Sequence, residues 1–227
     1  KISEIYLSVQ GEGRLTGTES VFVRTSGCHL RCWYCDTPYA SWHPEGYDLS
    51  VEEIIQRITE WDCPHVVITG GEPMLYSELL PLTQRLRRSQ KHITVETAGT
   101  LYLPVECDLM SISPKLASSA PDARRYPRWA RRHARDRWAP RIVRRLIARH
   151  GYQLKFVIDT REDLVGVAQY LEIAPEIARS DVYLMPQGTS LACLEERRGW
   201  LEPYCREHGL NYCPRRQFEW FGNLRGT

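Results

Sequence analysis

Residues Ile2 to Ser8 alternate between two sets, Ile2, Glu4, Tyr6 and Ser8 against Ser3, Ile5 and Leu7, which predicts a strand with apolar residues on much of both faces. Gln10-Gly11-Glu12-Gly13 ends it, because two glycines break the alternation; such a turn closes a hairpin or lets backbone approach a ligand. β-Branched and aromatic residues from Ser20 to Ser26 predict a second strand. Arg24 lies inside it, and a guanidinium in an apolar strand requires an acidic partner, either a structural carboxylate or a ligand's. Ser50-Val51-Glu52-Glu53 reads as a capping box, and Ile54, Ile55, Ile58 and Trp61 share one face of a helix running to about Glu60. His65 to Thr69 is a short buried strand that ends in Gly70-Gly71-Glu72-Pro73. Leucines 79, 80, 82 and 86 predict a helix within Tyr76 to Arg88, followed by strands Ile93 to Glu96 and Asp108 to Ile112.

Pro121 to Pro140 shows no such period; it holds three prolines and two tryptophans and reads as an excursion from the fold. Order returns with a surface helix from Arg141, a strand from Gln153 to Ile158, and a helix capped at Thr160 whose apolar face is Leu164, Val167, Ala168 and Leu171. A strand from Val182 to Met185 precedes a helix over Leu191 to His208, with Gly199 and Pro203 as bends and Gly209 as its stop. Arg216 to Phe221 reads as a final strand-like piece. Strand and helix alternate through about six units, which predicts an α/β fold, a parallel sheet with right-handed crossovers in a partial, TIM-like (βα)6 barrel. Residues 1–227 are expected to form one domain, with 121–140 as an Arg-rich insertion. The polar clusters follow strands: the cysteines after Ser26, Gly70-Gly71-Glu72, Thr97 to Thr100, Ser113-Pro114-Lys115, and Met185 to Gly188. Strand C-terminal ends share one face of a barrel, so these clusters are expected to converge on one site.

Charge changes the picture in one place. The net charge is only +2, yet eleven arginines lie between Arg124 and Arg149 with a single acid, Asp136, among them, so the rest of the chain is net acidic. The run reads as a solvated, helix-flanking insertion in preference to a nucleic-acid surface, although Trp129 and Trp138 between the cations keep base stacking in play. An acidic electron-donor protein such as a flavodoxin is a third partner such a surface suits. No apolar run reaches membrane-spanning length and the first residues alternate like a strand instead of a signal peptide, so a cytoplasmic protein without a membrane partner is expected.

Gly27-Cys28-His29-Leu30-Arg31-Cys32-Trp33-Tyr34-Cys35-Asp36-Thr37 places three thiols within eight residues. A disulfide fails, because three is odd and a cytoplasmic chain keeps its thiols reduced. Zinc competes, but a closed site needs a fourth soft ligand; His29 is wedged between the thiols and Cys63 is distant. Three thiolates on one loop suit a [4Fe-4S] cluster with one iron left open for a reacting molecule. Cys63, Cys107, Cys193, Cys205 and Cys213 are scattered and read as buried free thiols.

The C-x-x-x-C-x-x-C spacing, with an aromatic residue before the last Cys, resembles the radical S-adenosylmethionine (SAM) superfamily. That resemblance implies that the open iron chelates the amino and carboxylate groups of SAM and that one electron cleaves it to a 5′-deoxyadenosyl radical. Across nearly the whole chain, Ser8 to Gly13, Phe22 to Cys28, Cys35-Asp36-Thr37, Thr69 to Pro73, Glu96 to Thr100, Ser113-Pro114-Lys115, Leu154-Lys155-Phe156 and Met185 to Gly188 resemble the 7-carboxy-7-deazaguanine synthase family. Gly-Gly-Glu-Pro recurs across the superfamily; Gln-Gly-Glu-Gly together with Arg24 and Thr37 is more specific.

The family resemblance implies ring contraction of 6-carboxy-5,6,7,8-tetrahydropterin, begun by hydrogen abstraction at C6 and completed with loss of ammonia, with SAM regenerated, in queuosine and other deazapurine biosynthesis. It implies Cys28, Cys32 and Cys35 on the cluster; Tyr34, Cys35, Asp36, Gly71, Ser113, Pro114, Lys115 and Gln187 around SAM; Mg²⁺ on Thr37; and a homodimer. A pterin has a flat donor and acceptor edge that Gln10 and the backbone of Val9 and Gly11 could read. Its carboxylate suits a bidentate Arg24 with a hydroxyl contact from Thr69. One threonine hydroxyl holds magnesium poorly, so Mg²⁺ is expected to bind with substrate; Thr37 as a cap or turn hydroxyl before Pro38 is the other reading. A glycyl-radical activating enzyme and a zinc-stabilised nucleic-acid-binding protein are the competing functions.

Overall fold

A computed structural model describes residues 1–227. Strand β1 (Ile2–Val9) pairs antiparallel with β2 (Glu19–Thr25). From β2 onward every pairing is parallel, through β3 (His65–Gly70), β4 (His92–Thr97), β5 (Leu109–Ile112), β6 (Tyr152–Ile158), β7 (Val182–Pro186) and the two-residue β8 (Asn211–Tyr212). The strands stand in chain order, and β1 and β8 are not joined, so the sheet is an open, partial barrel. Right-handed crossovers in strict chain order carry the connecting helices to one face, which leaves the other as a lined interior.

Side-chain alternation divides the two faces. Val21, Val23, Ile68, Val95, Ile112, Leu154 and Phe156 point to the helix layer and belong to one continuous buried core. The intervening positions carry Arg24, Thr69, Glu96, Ser111 and Lys155, and the register sets them side by side: Arg24 opposite Thr69, Glu96 opposite Ser111, and Ser111 opposite Gln153. The inner face is polar because these strands alternate.

The helices are α1 (Val51–Ile58), α2 (Leu79–Arg88), α3 (Pro127–Asp136), α4 (Pro140–Ile147), α5 (Asp163–Ile173), α6 (Leu191–His208) and α7 (Arg216–Phe221). The capping box of α1 is complete, with Ser50 Oγ accepting from the Glu53 amide and the Glu53 carboxylate accepting from the Ser50 amide at 2.7 Å. Helix α6 has the predicted span, and Gly209 closes it in the left-handed region at φ 66°.

Helix α2 falls inside its predicted segment, with Pro73–Leu75 forming a separate 3-10 turn before it. Other expectations are corrected. Thr160 is not the cap of α5; Asp163 turns back to accept from the Asp159 and Thr160 amides, and Val167 and Tyr170 are the buried apolar residues, with Ala168 exposed. Arg216 to Phe221 is helical, and the last strand precedes it; six residues rich in aromatics carry too little period to separate the two. All five scattered cysteines are free, but Cys193, in the first turn of α6, is exposed. The Arg-rich stretch contains an ordered helix, α3, begun by Pro127, where no element was predicted. Trp129 stacks against Arg31, with the guanidinium 3.9 Å from the ring centroid, and Trp138 packs edge-on against Tyr170 at 5.0 Å, so both rings are partly buried in contacts within the fold. No helix is long and apolar enough to cross a membrane.

Candidate active site

The inner face and the C-terminal strand ends enclose a cavity of about 310 Å³. Of the residues singled out from the sequence, Val9, Gln10, Gly11 and Arg24 line it from β1, β2 and the turn between them, and Cys28, Cys32, Tyr34, Cys35, Asp36 and Thr37 line it from the cysteine loop. Thr69, Gly71, Ser113, Lys115 and Gln187 complete the set from the ends of β3, β5 and β7. Pro114 is buried in its turn and does not reach the cavity.

The cysteine loop is fixed where it leaves β2. The Gly71 amide donates to Thr25 O at 3.1 Å and the Glu72 amide to Gly27 O at 2.9 Å. A Cβ on Gly71 would lie 2.1 Å from Gly27 O and 2.5 Å from Ala40 O, so packing against the loop already demands glycine there. Glu72 is fully buried and accepts from the Met74 amide, the Thr97 hydroxyl and the Ala98 amide, which makes it a clamp between the ends of β3 and β4 and a cap for the 3-10 turn.

Burial pushes the Cys28 thiol up to about 11 and the Cys32 thiol up to about 12, and the neighbouring thiols add to both. Both are therefore protonated at neutral pH in the metal-free chain, and iron must displace those protons. Nowhere do three His, Cys, Asp or Glu side chains gather closely enough for one metal ion. A closed zinc site needs four donors on one ion, whereas the irons of a [4Fe-4S] cluster stand apart and each takes a single thiolate. Cys35 Sγ also meets Ser41 Oγ at 3.1 Å and Thr37 Oγ1 at 3.8 Å. That sulfur contact is the only side-chain contact of the Thr37 hydroxyl, which makes no cap bond, so the cap reading fails.

Arg24 has a structural carboxylate. Its Nε donates to Glu4 Oε1 at 2.6 Å and its Nη2 to the Tyr6 hydroxyl at 2.7 Å, while the Tyr39 hydroxyl donates to the same Glu4 oxygen. Both Nη1 protons and the second Nη2 proton are left for a ligand, so the end-on, two-point grip on a ligand carboxylate stays open. Thr69 donates its hydroxyl proton to Glu96 at 2.8 Å and can offer a ligand only an acceptor. Gln10 Nε2 donates to Ser20 Oγ at 2.9 Å, leaving one amide proton and the carbonyl.

Sequence reasoning gave no role to the ionic network beside them. Lys155 Nζ donates to Glu96 at 2.8 Å and to Glu12 at 3.1 Å; Arg215 donates to Glu12 at 3.1 Å, to Gly188 O at 2.7 Å, and also ion-pairs with Asp36; Gln217 donates to Glu12 at 2.6 Å. Burial alone would raise the Glu12 carboxyl, but Lys155, Arg215 and Gln217 outweigh it and hold it at about 2. Lys155 is raised for the reciprocal reason, its two carboxylates overcoming burial. Lys155 had a readable signal, the same charge inside an apolar strand that marks Arg24. Arg215 and Gln217 had none, since they reach Glu12 through α7, whose Gln217 lies so close to Gly11 that a Cβ there would be 2.2 Å from Oε1.

Residues 22–146 match the sequence pattern of the Radical SAM superfamily. The chain is 49% identical over 227 residues to the 7-carboxy-7-deazaguanine synthase of Rhodopirellula baltica, covering all of this chain and 88% of that protein. It is 43% identical over 224 residues to the enzyme of the same name from Halobacterium salinarum, covering 94% of this chain and 87% of the relative. The crystal structure of QueE from Escherichia coli shares the fold with a TM-score of 0.66 at 22% identity, over 94% of this chain and 92% of that one. Streptococcus suis SuiB bound to S-adenosylmethionine shares it with a TM-score of 0.56 at 14% identity, over 84% of this chain and 48% of the other. The three-thiol loop at the mouth of an open (βα) sheet and the full-length identity agree: the chain belongs to the radical SAM superfamily and, within it, to the 7-carboxy-7-deazaguanine synthase family.

Proposed function

We propose that the chain converts 6-carboxy-5,6,7,8-tetrahydropterin to 7-carboxy-7-deazaguanine with release of ammonia, as a carbon-nitrogen lyase of queuosine and related deazapurine biosynthesis. The observation that carries this reading is the meeting, in one cavity, of the three-thiol loop with the polar inner face of β2, β3, β4 and β6. Cys28, Cys32 and Cys35 would hold the [4Fe-4S] cluster, and the cluster with SAM, when bound, supplies the one-electron chemistry that removes a hydrogen from C6. Tyr34, Cys35, Asp36, Gly71, Ser113, Lys115 and Gln187 flank the space for SAM, with Pro114 shaping the turn that carries Ser113 and Lys115. The Lys115 ammonium donates to Ser113 Oγ at 2.7 Å, which orders that turn beside the thiols.

Val9, Gln10 and Gly11 face the opposite end, where the remaining Gln10 amide proton and carbonyl match a pterin edge. Arg24 meets the substrate carboxylate through its Nη1 and Nη2 edge, and Glu4, Tyr6 and Tyr39 hold the guanidinium in place. Thr69 accepts from the substrate, with Glu96 fixing its rotor. Thr37, which lines the cavity, would contribute one oxygen to Mg²⁺, and the substrate and water the others. Walls of this kind bind, orient and exclude water from the reacting carbon.

The resemblance extends the proposal to a homodimer, and the free thiols suit a reducing, cytoplasmic setting. Electrons come from an external one-electron donor such as an acidic flavodoxin. Anaerobic turnover of iron-reconstituted protein with SAM, Mg²⁺, dithionite and the carboxytetrahydropterin, read by the deazapurine chromophore, tests the reading. Iron bound and SAM cleaved slowly without product would move the assignment to a protein substrate.

A further inference from the structure

His133 is fully buried, although it sits in α3 among four arginines. Its Nδ1 lies 3.1 Å from the Arg31 amide nitrogen, and its Nε2 lies 2.9 Å from Ser119 Oγ. A backbone N–H can only donate, so Nδ1 is the acceptor and Nε2 carries the proton. Ser119 Oγ accepts the hydrogen bond from Nε2 and donates its own to Leu116 O at 2.6 Å. The direction of every bond in the chain is thereby determined.

Ser119 also accepts the Trp33 amide through its carbonyl at 3.1 Å. The two amides flanking Cys32, those of Arg31 and Trp33, are thus both held by the His133–Ser119 unit. Arg31 is gripped a second time: its guanidinium lies on the Trp129 ring at 3.9 Å, one turn of α3 before His133, and Nη1 donates to Cys28 O at 2.6 Å and Leu30 O at 2.8 Å. These contacts lock the backbone carrying two of the three thiols, although His133, Ser119, Arg31 and Trp129 themselves do not line the cavity.

We propose that α3 is a clasp on the cysteine loop, with His133 the positioning residue that holds Cys32 in place for a cluster. This rests on the reading of Cys28, Cys32 and Cys35 as cluster ligands, and it gives the arginine-rich stretch a purpose that its charge alone does not suggest. Groups that orient ligands from outside a metal site commonly change metal retention by one to two orders of magnitude when removed.

The test compares reconstituted wild type with H133A, H133Q and H133N by iron content after desalting, the rate of iron loss to ferrozine, and the electron paramagnetic resonance spectrum of the reduced cluster with and without SAM. Asparagine keeps an acceptor near the position of Nδ1; glutamine reaches Ser119 but leaves the Arg31 amide without one. H133A and H133Q are expected to lose iron about ten-fold faster than wild type, with an altered spectrum, and H133N to lie within two-fold of wild type. W129L, which removes the stacking partner but no buried hydrogen bond, is expected to fall between and covers the case of an unfolded H133A. Equal iron loss and equal spectra in H133A, H133Q and wild type, all folded by circular dichroism, would overturn the clasp, as would H133N losing iron as fast as H133A. A wild-type chain that takes up no iron would overturn the cluster reading and the clasp with it.

Discussion

Lys155 Nζ, on β6, donates to Glu96 Oε1, on β4, at 2.8 Å across the intervening β5. The ammonium is almost fully enclosed and shared with Glu12, so its removal takes the common cation from two carboxylates, leaving Glu96 with the Thr69 hydroxyl and Glu12 with Arg215 and Gln217. Lys155→Met should cost roughly 3 kcal/mol at pH 7 in urea unfolding, the size expected when one partner of a buried ion pair is deleted. The deficit should shrink toward pH 4, as the stranded carboxylates take up protons. An equal loss at both pH values would show that the lysine acts through packing alone.

Arg24 and Glu4 divide their tasks. Arg24→Ala removes the group offered to the substrate and should lower kcat/KM at least 100-fold, whereas Glu4→Gln only loosens the guanidinium and should cost about ten-fold, chiefly in KM. Steady-state kinetics of the two variants decide between this order and its reverse.

His133 gives stability a pH dependence. Burial and then the positive charges of Arg137 and Lys115 lower its imidazolium to about 4, against about 6.5 in the unfolded chain. Between those values the unfolded state binds the extra proton, so stability falls as pH drops from 6.5 to 4, by about 3 kcal/mol at most from this group. His133→Asn, which cannot titrate, should lose that part of the slope in denaturant unfolding of the iron-free protein.

The outer face of α3 is exposed and basic. Arg128→Glu, Arg131→Glu and Arg132→Glu combined should slow turnover with an acidic flavodoxin several-fold while leaving turnover with dithionite unchanged. Equal rates in both assays would remove this face as the donor's docking surface.

Magnesium should bind usefully only with substrate, because Thr37 offers a single hydroxyl. Calorimetry of the substrate-free protein should show no tight Mg²⁺ site, and Thr37→Val should abolish the stimulation of turnover by Mg²⁺.

The period-2 strands, the α1 capping box and the α6 stop at Gly209 were readable because each is a local signal. So was the convergence of Gly70-Gly71, Ser113 to Lys115 and Gln187 with the thiols, which follows from placing each just after a strand. What escaped depends on contacts distant in the chain. Glu4 claims Arg24 from the neighbouring antiparallel strand, Arg215 joins Glu12 to Asp36 from the far end of the sequence, and His133 closes on Arg31 across about a hundred residues. Arg216 to Phe221 failed for a different reason: six residues are too few for a period to declare itself.

The proposed reaction begins with abstraction of hydrogen from C6 of the pterin in this cavity and ends in ring contraction. Anaerobic turnover of substrate deuterated at C6, with mass spectrometry of both the product and SAM, tests it most directly. The expected result is 7-carboxy-7-deazaguanine, many turnovers per SAM, and deuterium accumulating in SAM as it is regenerated. Substrate recovered with its deuterium intact, while SAM is consumed to 5′-deoxyadenosine, would contradict it.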